Sequence, residues 1–329
     1  MLEKKLNFEE IKSLIRGAVS IVKTEDSIQM QRFTDPQFHA YDNNIDHQNK
    51  TRASAGMVMD FITNAKRFVM NYQIRYGSSR VFSYFDVTVN DVPYSFQGTD
   101  DYKKEPERTL DLTLDGKENH IRIYFPCLTQ IVIRDVTLYD VTALTPVYRK
   151  KIMLAFGDSI TQGYDAKHPM KAYAMAVADA FSADLYNKAI GGERFLPSLL
   201  NTPDAIDPDF ITVAYGTNDW SCCTRAAIEN NTIGFFWNLN VLYADKPVFV
   251  ILPLWRKDHD RPTESGPFEN VRTFIRQTAE TYSNIHVIDG FELLPHDTAL
   301  FSDGRLHPDD NGFSYMSKAL TEKIKAILC

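Results

Sequence analysis

Apolar and polar residues alternate along much of the first half of the chain. In the stretch 67–76 every second residue is apolar or aromatic, namely Phe68, Met70, Tyr72, Ile74 and Tyr76. The stretch 81–89 repeats this period, and Asn90 and Asp91 after it are typical turn residues. A period of two places one set of side chains on one face of a β-strand. Many short strands separated by turns predict an all-β sandwich, jelly-roll-like, in this half.

Two further local patterns occur in the first half. A short helix is predicted from Asn7 to Arg16, because apolar residues recur there at helical spacing. The apolar stretches 109–114 and 120–125 flank a segment that opens with Asp-Gly, a pair that favours tight turns. These two stretches are therefore predicted to form a β-hairpin.

From Lys151 onward the pattern changes to short apolar runs separated by longer segments of helical period. The runs predicted as strands are 151–156, 183–190, 209–215, 247–252 and 285–289. Strands that alternate with helices are typical of a parallel sheet covered by helices on both faces. The chain is therefore predicted to contain a β-sandwich domain over residues 1–148 and a doubly wound α/β domain over residues 149–329.

Composition narrows the classes of partner. The balance of 36 Lys and Arg against 43 Asp and Glu gives a net charge of −7, which disfavours nucleic acid and anionic membranes as partners. No run approaches the ~20 apolar residues of a membrane helix, and the N-terminus lacks the pattern of a secretory signal. The cysteines, Cys127, Cys222, Cys223 and Cys329, lack zinc-ligand spacing. We therefore expect free thiols and a cytoplasmic location.

Polar residues and glycines follow the predicted parallel strands, where the carboxyl ends of the strands form a ligand crevice. In chain order they are Ser159, the pair Gly191 and Gly192, Asn218, and then Asp303 and His307 before a final helix. Together they supply a hydroxyl nucleophile, a base, an acid that orients the base, and donors for an oxyanion. Each also has a structural interpretation: Ser159 as a helix cap, Asn218 as a turn residue and the glycines as a tight turn.

The four separated blocks resemble those of the GDSL, or SGNH, hydrolases, which are named for a Ser, a Gly, an Asn and a His. The resemblance covers roughly residues 151–329. It implies that Ser159 is the nucleophile and that His307 is the base. It also implies that the backbone N–H groups of Ser159 and Gly192 and the side-chain amide of Asn218 form the oxyanion hole. No metal or other cofactor is expected for this chemistry.

The resemblance leaves two residue assignments open, the oxyanion-hole glycine and the acid of the triad. Gly192 is preferred to Gly191 because the glycine of the family is usually followed by an acidic residue, as Glu193 follows here. The family usually spaces its acid and base as Asp-x-x-His, with two residues between them, whereas three residues stand between Asp303 and His307. Asp303 is the expected third member of the triad, and a backbone carbonyl that orients the imidazole is the alternative.

The order of the two halves resembles two-domain carbohydrate esterases that remove acetyl groups from xylan and mannan. This resemblance implies an esterase that acts through an acyl-enzyme on acetylated oligosaccharides derived from plant polysaccharides. Trp255 and Trp220 are candidate platforms for a sugar ring, with core packing as the alternative. The first half is expected to bind glycan, to donate a loop to the active site, or only to brace the second half.

Two other functions are compatible with the sequence. The family also contains lysophospholipases and thioesterases, which are expected to prefer longer acyl chains. A glycan-binding protein with an inactive hydrolase fold is the second alternative, and the presence of both Ser159 and His307 argues against it.

Overall fold

The computed structural model describes residues 2–328, whose strands form three sheets. The strands of the first half are β1 (Glu3–Lys5), β2 (Ile15–Arg16), β3 (Ser20–Lys23), β4 (Ile28–Gln31), β5 (Val58–Thr63), β6 (Arg67–Tyr76), β7 (Ser83–Val89), β8 (Val92–Thr99), β9 (Glu107–Thr113), β10 (Asn119–Tyr124), β11 (Thr129–Tyr139) and β12 (Leu144–Pro146). The strands of the second half are β13 (Lys151–Gly157), β14 (Ala183–Asn187), β15 (Phe210–Ala214), β16 (Val248–Ile251) and β17 (Ile285–Ile288). The helices are α1 (Phe8–Leu14), α2 (Asp35–His39), α3 (Ile45–Lys50), α4 (Ser159–Gln162), α5 (Tyr173–Ala180), α6 (Thr217–Cys222), α7 (Arg225–Tyr243), α8 (Phe268–Ala279) and α9 (Asp310–Leu328).

The first half forms a sandwich of two antiparallel sheets, as the period of two predicts. One sheet has the order β3-β4-β11-β6-β9 with β1 beside β11, and the other has the order β12-β5-β10-β7-β8 with β2 beside β5. Aromatic side chains join the two inner faces: the rings of Phe61 and Phe68 stack at 5.6 Å, and those of Tyr72 and Phe85 meet edge to face at 5.0 Å. Burial of these apolar side chains is the main force that holds the sheets together.

The predicted hairpin between stretches 109–114 and 120–125 is wrong. Strand β9 pairs with β6 in one sheet, while β10 pairs with β5 and β7 in the other. The Asp-Gly pair does form a local turn, in which Gly116 has a φ of +76°, but the turn carries the chain across the sandwich. By contrast, Asn90 and Asp91 adopt left-handed φ values of 51° and 63° and connect the paired strands β7 and β8.

The predicted N-terminal helix begins where expected and ends earlier. The Asn7 side chain accepts a hydrogen bond from the Glu10 N–H, and the Glu10 carboxylate accepts one from the Asn7 N–H. The helix ends at Leu14 because Ile15 and Arg16 form β2, which pairs with β5.

The second half is the predicted doubly wound α/β fold. Its parallel sheet has the order β14-β13-β15-β16-β17. Alternate residues of β13 face opposite sides: Met153 and Ala155 pack in the cluster that contains α5 and α9, while Leu154 and Phe156 pack in the cluster that contains α7 and α8. Because helices cover both faces, the ligand crevice of such a sheet lies at the carboxyl ends of its strands, where the strand order reverses between β13 and β15.

Buried charges connect the two halves. The Arg122 guanidinium on β10 is 1% exposed and pairs with Asp60 on β5 and with Asp179 on α5. Strand β12 ends at Pro146 and β13 begins at Lys151. We propose residues 1–148 as an N-terminal domain and residues 149–329 as a C-terminal domain.

Two further observations, on membrane-spanning helices and on cysteines, apply to residues 2–328. No helix in this range is long and apolar enough to cross a membrane. Cys127, Cys222 and Cys223 are free thiols, and Cys329 lies outside the described residues.

Candidate active site

Three predicted site residues form one continuous chain of hydrogen bonds. Ser159 is the first residue of α4, directly beyond the carboxyl end of β13, and its Oγ lies 3.0 Å from His307 Nε2. The other ring nitrogen, Nδ1, lies 2.8 Å from Asp303 Oδ2. Since the carboxylate can only accept, Nδ1 donates, and Nε2 is left as an acceptor for the Ser159 hydroxyl.

The residue before Ser159 caps α4. Asp158 accepts a hydrogen bond from the Ile160 N–H at 3.0 Å, so the Ser159 hydroxyl is not used as a cap. Burial raises the pKa of Asp158 to about 7. The Ser159 N–H, at the first position of the helix, donates to no acceptor within residues 2–328.

A closed turn explains the four-residue spacing of Asp303 and His307. Asp303 Oδ1 accepts hydrogen bonds from the backbone N–H groups of Arg305 at 2.9 Å, Leu306 at 2.7 Å and His307 at 3.2 Å. Gly304 within the turn has a φ of +63°, a conformation that favours glycine. Burial alone would raise the pKa of Asp303, but the bonds from the imidazole and from the backbone outweigh it and hold that pKa well below its usual range.

Of the two glycines after β14, Gly191 and Gly192, only the first donates its backbone N–H in a hydrogen bond within residues 2–328. The Gly191 N–H donates to Gln162 Oε1 at 2.7 Å, whereas the Gly192 N–H has no acceptor in the described part of the chain. Gly192 has a φ of +87°. A Cβ on Gly191 would lie 2.5 Å from the Tyr164 ring, so this position must be glycine for steric reasons.

Asn218 lies in the first turn of α6, which follows β15, and its side chain points toward residues 190–195, here called the glycine loop. Its Nδ2 donates one hydrogen to the Glu193 carbonyl at 2.9 Å, and its second hydrogen has no acceptor within residues 2–328. The neighbouring Asp219 carboxylate accepts from the N–H groups of Gly216 and Phe195, both at 3.1 Å, and so ties α6 to the same loop. Burial raises the pKa of Asp219 to about 6 and that of Glu193 to about 7.

The two tryptophans differ in their exposure. Trp220 is fully buried, its Nε1 donates to the Gly266 carbonyl at 2.9 Å, and its ring packs edge to face on Phe268. The expectation that Trp220 is a sugar platform is therefore wrong, because no face of the ring is accessible. Trp255 is only partly buried, and His296 stacks on one face of it at 5.2 Å. Its role as a platform stays a prediction.

Sequence reasoning missed a loop that joins two parts of the site. Arg256 is 2% exposed and donates to the Thr217 hydroxyl at 3.1 Å and to the Ser221 hydroxyl at 2.9 Å, both on α6. The next residue, Lys257, donates its N–H to the carbonyl of Arg305, within the turn of residues 303–307 that ends at His307. Arg256 stands five residues after the end of β16, in the loop beyond a predicted strand, and this position was a signal that could have identified it.

Sequence reasoning also missed Tyr164, whose aromatic ring stacks on His307. The Tyr164 ring stacks on His307 with 5.4 Å between centroids, and its hydroxyl lies 3.2 Å from the Ser79 hydroxyl of the first half. Tyr164 is five residues after Ser159, so it lies on the turn that follows the proposed nucleophile. The Tyr164 ring therefore covers one face of the imidazole.

Helix α3 of the first half contacts the glycine loop, and no motif in the sequence indicated this. Lys50 Nζ donates to the Gly191 carbonyl at 3.0 Å, and His47 Nε2 lies 3.4 Å from the point where a Cβ on Gly192 would stand. Burial and the positive charge of Lys50 lower the pKa of His47 to about 4, so the ring is neutral at neutral pH. A neutral imidazole beside Gly192 can donate a hydrogen bond to a substrate or accept one from it.

A match to a known protein family covers the segment that contains the predicted site residues from Ser159 to His307. Residues 155–314 match the model of the GDSL-like Lipase/Acylhydrolase family, which confirms the resemblance for this part of the chain. The matched segment contains all six residues from Ser159 to His307 that were predicted at the strand ends. No curated protein matches the sequence.

Solved structures with the same fold cover nearly the whole chain. The salicylyl-acyltransferase SsfX3 from a tetracycline biosynthetic pathway is 17% identical, with a TM-score of 0.79 over 95% of this chain and 94% of its own. A family two carbohydrate esterase from Cellvibrio japonicus is 17% identical, with a TM-score of 0.68 over 99% and 97%. An acetyl xylan esterase, Est2A, from the rumen bacterium Butyrivibrio proteoclasticus is 14% identical, with a TM-score of 0.64 over 99% and 98%. These likenesses confirm the two-part fold.

Proposed function

We propose that the protein is a serine esterase that hydrolyses carboxylic esters through an acyl-enzyme. The observation that carries the proposal is the hydrogen-bonded path from Asp303 through His307 to Ser159, which ends beside unpaired N–H groups. A serine hydroxyl is a weak nucleophile, and a neutral imidazole whose second nitrogen donates to a carboxylate is the usual way to activate it.

In the acylation step of the proposed reaction, His307 Nε2 takes the hydroxyl proton of Ser159 while the Ser159 Oγ attacks the carbonyl carbon of the ester. The tetrahedral intermediate then collapses, the bond to the alcohol oxygen breaks, and His307 returns the proton to the leaving alcohol. In the deacylation step, His307 takes a proton from a water molecule, and this water attacks the carbonyl carbon of the acyl-enzyme. The carboxylic acid leaves and Ser159 recovers its proton.

The proposed oxyanion donors are the N–H groups of Ser159 and Gly192 and the side-chain amide of Asn218. The assignment to Gly192 gains support because the Gly191 N–H already donates to Gln162. Asn218 uses one amide hydrogen to fix its side chain on the Glu193 carbonyl, which leaves the second for the substrate. Donors held in place before the reaction stabilise the developing charge without a cost of reorientation.

For the substrate, we propose acetyl esters of carbohydrate. The support is the fold shared with proteins named as family two carbohydrate esterases and as an acetyl xylan esterase. One such esterase, from Clostridium thermocellum, is described in complex with cellohexaose. The partly exposed Trp255 and the neutral His47 beside Gly192 offer an aromatic face and a hydrogen-bonding group of the kinds that sugars use.

The test compares acetate release from acetylated xylo- and manno-oligosaccharides with the turnover of p-nitrophenyl acetate and octanoate. Ser159→Ala is the variant, and Ser283→Ala, at an exposed position before β17, is the matched control. The proposal predicts Ser159-dependent acetate release from the oligosaccharides and poor turnover of octanoate.

The other outcomes have distinct meanings. Preference for octanoate would favour a lipase or thioesterase instead. Transfer of the acetyl group to an added alcohol, with little free acetate, would favour an acyltransferase, the activity named for SsfX3. An absence of Ser159-dependent turnover of every ester would contradict the proposed function and leave the glycan-binding alternative.

A further inference from the structure

Helix α3 and the glycine loop are held together by one buried arginine. Arg32 is 1% exposed, and its guanidinium donates to the carbonyls of Asn187 at 2.7 Å and Ala189 at 2.9 Å, which lead into the glycine loop. The same guanidinium donates to the carbonyl of Lys50 at 3.1 Å and to that of Ala53 at 2.6 Å. The end of α3 and the start of the glycine loop are therefore fixed at a constant separation.

The Lys50 side chain is also fixed at its charged end. Its ammonium group lies 2.6 Å from the Asp46 carboxylate, one helical turn earlier, and 3.0 Å from the Gly191 carbonyl oxygen. Tyr76 donates its hydroxyl hydrogen to the same carboxylate at 2.6 Å. The Lys50 side chain is only 11% exposed, so solvent competes weakly for these bonds.

The carbonyl that Lys50 contacts belongs to the same peptide group as the Gly192 N–H. Resonance couples the two ends of a peptide, so a donor that draws electron density toward the oxygen makes the N–H a stronger donor. A charged donor has a larger effect than a neutral one. In a trans peptide the C=O and N–H point to opposite sides, and the described residues contain no cis bond. Lys50 therefore acts on this peptide without competing for its N–H.

We propose that Lys50 is a positioning residue of the oxyanion hole: it orients and polarises the peptide between Gly191 and Gly192 from the side opposite the substrate. The N-terminal domain would thereby complete the active site of the C-terminal domain. This inference rests on the proposed function, in which the Gly192 N–H binds the oxyanion. Lys50 itself contacts no reacting atom.

The experiment compares kcat and KM for p-nitrophenyl acetate in Lys50→Met, Lys50→Arg and Lys66→Met. Methionine matches the lysine side chain as far as Cε but lacks the charged Nζ and its donors, while arginine keeps a positive charge and N–H donors. Lys66 is a surface lysine, 62% exposed and paired with Asp140, so Lys66→Met controls for the loss of one positive charge. The inhibition constant of phenylboronic acid, whose serine adduct places an oxygen in the oxyanion hole, is measured in parallel.

Lys50→Met is expected to lower kcat about 10-fold with KM changed less than about twofold, because loss of a direct oxyanion donor costs ~100- to 1000-fold and Lys50 acts indirectly. The boronate should bind more weakly by a similar factor. Lys50→Arg should recover most of the loss, and Lys66→Met should match the wild type. Thermal unfolding of each variant checks that the protein is folded at the assay temperature.

The inference would be overturned if folded Lys50→Met kept wild-type kcat and boronate affinity. It would also be overturned if Lys50→Arg were no better than Lys50→Met, since a purely steric role would then account for both. A Ser159→Ala arm separates the two levels of the argument. If the wild type shows no Ser159-dependent turnover, the proposed function itself fails, whatever the Lys50 variants do.

Discussion

The Asp303 carboxylate binds the His307 imidazole at 2.8 Å although four positions separate the two residues in the chain. The second carboxylate oxygen accepts three backbone N–H groups, which curls the chain and brings the imidazole back onto the first oxygen. One carboxylate thus both closes the turn and orients the ring. The extra residue relative to the usual family spacing is absorbed by this turn.

Replacing Asp303 with asparagine is expected to lower kcat by on the order of 10³- to 10⁴-fold, because an amide can stabilise the wrong tautomer of His307. Since the pKa of Asp303 lies well below its usual range, the carboxylate is charged throughout the neutral range. The variant should therefore be slower than the wild type at every pH in the neutral range. A pH series of initial rates measures this, with the exposed Asp260→Asn as control. An Asp303→Asn enzyme with near-normal turnover would leave a backbone carbonyl to orient the ring.

Asn218→Ala removes the proposed side-chain donor of the oxyanion hole. Turnover is expected to fall ~100- to 1000-fold. Substrate affinity should change little, because the donor is used most strongly when charge develops on the oxygen. Steady-state kinetics on p-nitrophenyl acetate measure both quantities, and Asn230→Ala, exposed on α7, is the control. Retention of most activity in a folded Asn218→Ala protein would show that the amide does not bind the oxyanion.

The two glycines should respond differently to alanine. A Cβ on Gly191 meets the Tyr164 ring at 2.5 Å, and the resulting overpacking is expected to cost about 1–3 kcal/mol of unfolding free energy. A Cβ on Gly192 meets its nearest neighbour, His47, at 3.4 Å, so its cost comes from the φ of +87° and is expected to be about 1–2 kcal/mol. Denaturant titration measures both. Gly191→Ala as stable as the wild type would mean that the Tyr164 ring is free to move.

Glu193 provides a prediction about pH and stability. Burial raises its pKa from 4.5 to about 7 in the folded protein, while the unfolded chain has the ordinary value. Between these two values the unfolded state releases its proton first, so the unfolding free energy falls as pH rises, by up to about 3 kcal/mol. Above about pH 7 this contribution is constant.

Glu193→Gln should weaken this dependence of the unfolding free energy on pH, that is, flatten its slope. Denaturant titration at several pH values between the two pKa values measures the slope. Some slope will remain, since burial also raises the pKa values of Asp158 and Asp219. Glu25→Gln, at an exposed position, should leave the slope as it is in the wild type. An unchanged slope in Glu193→Gln would show that this carboxyl ionises normally in the folded state.

Much of the fold was predictable because local patterns determine it. The strand at residues 67–76 and the five parallel strands were found from periodicity, and the residues after those strands were brought together by the geometry of a parallel sheet. Strand pairing was less predictable: the Asp-Gly turn before β10 looks the same whether the chain turns back or crosses the sandwich. Trp220 was misjudged because its burial depends on packing against Phe268, far away in sequence.

Lys50 illustrates the limit of prediction from sequence alone. It stands more than one hundred residues before the carbonyl that it contacts, in a short helix without a recognisable motif. Nothing in the chain near Lys50 indicates a role at the active site. Only the docking of α3 on the glycine loop, through the buried Arg32, brings the two together.

The central claim is that Ser159 carries the acyl group, and direct detection of the acyl-enzyme tests it. The protein is mixed with p-nitrophenyl acetate, quenched in acid within the first turnovers, digested, and examined by peptide mass spectrometry. The account predicts an acetyl group on the peptide that contains Ser159 in the wild type and none in Ser159→Ala. Turnover of the ester with no acetylated Ser159, and with Ser159→Ala as active as the wild type, would contradict it.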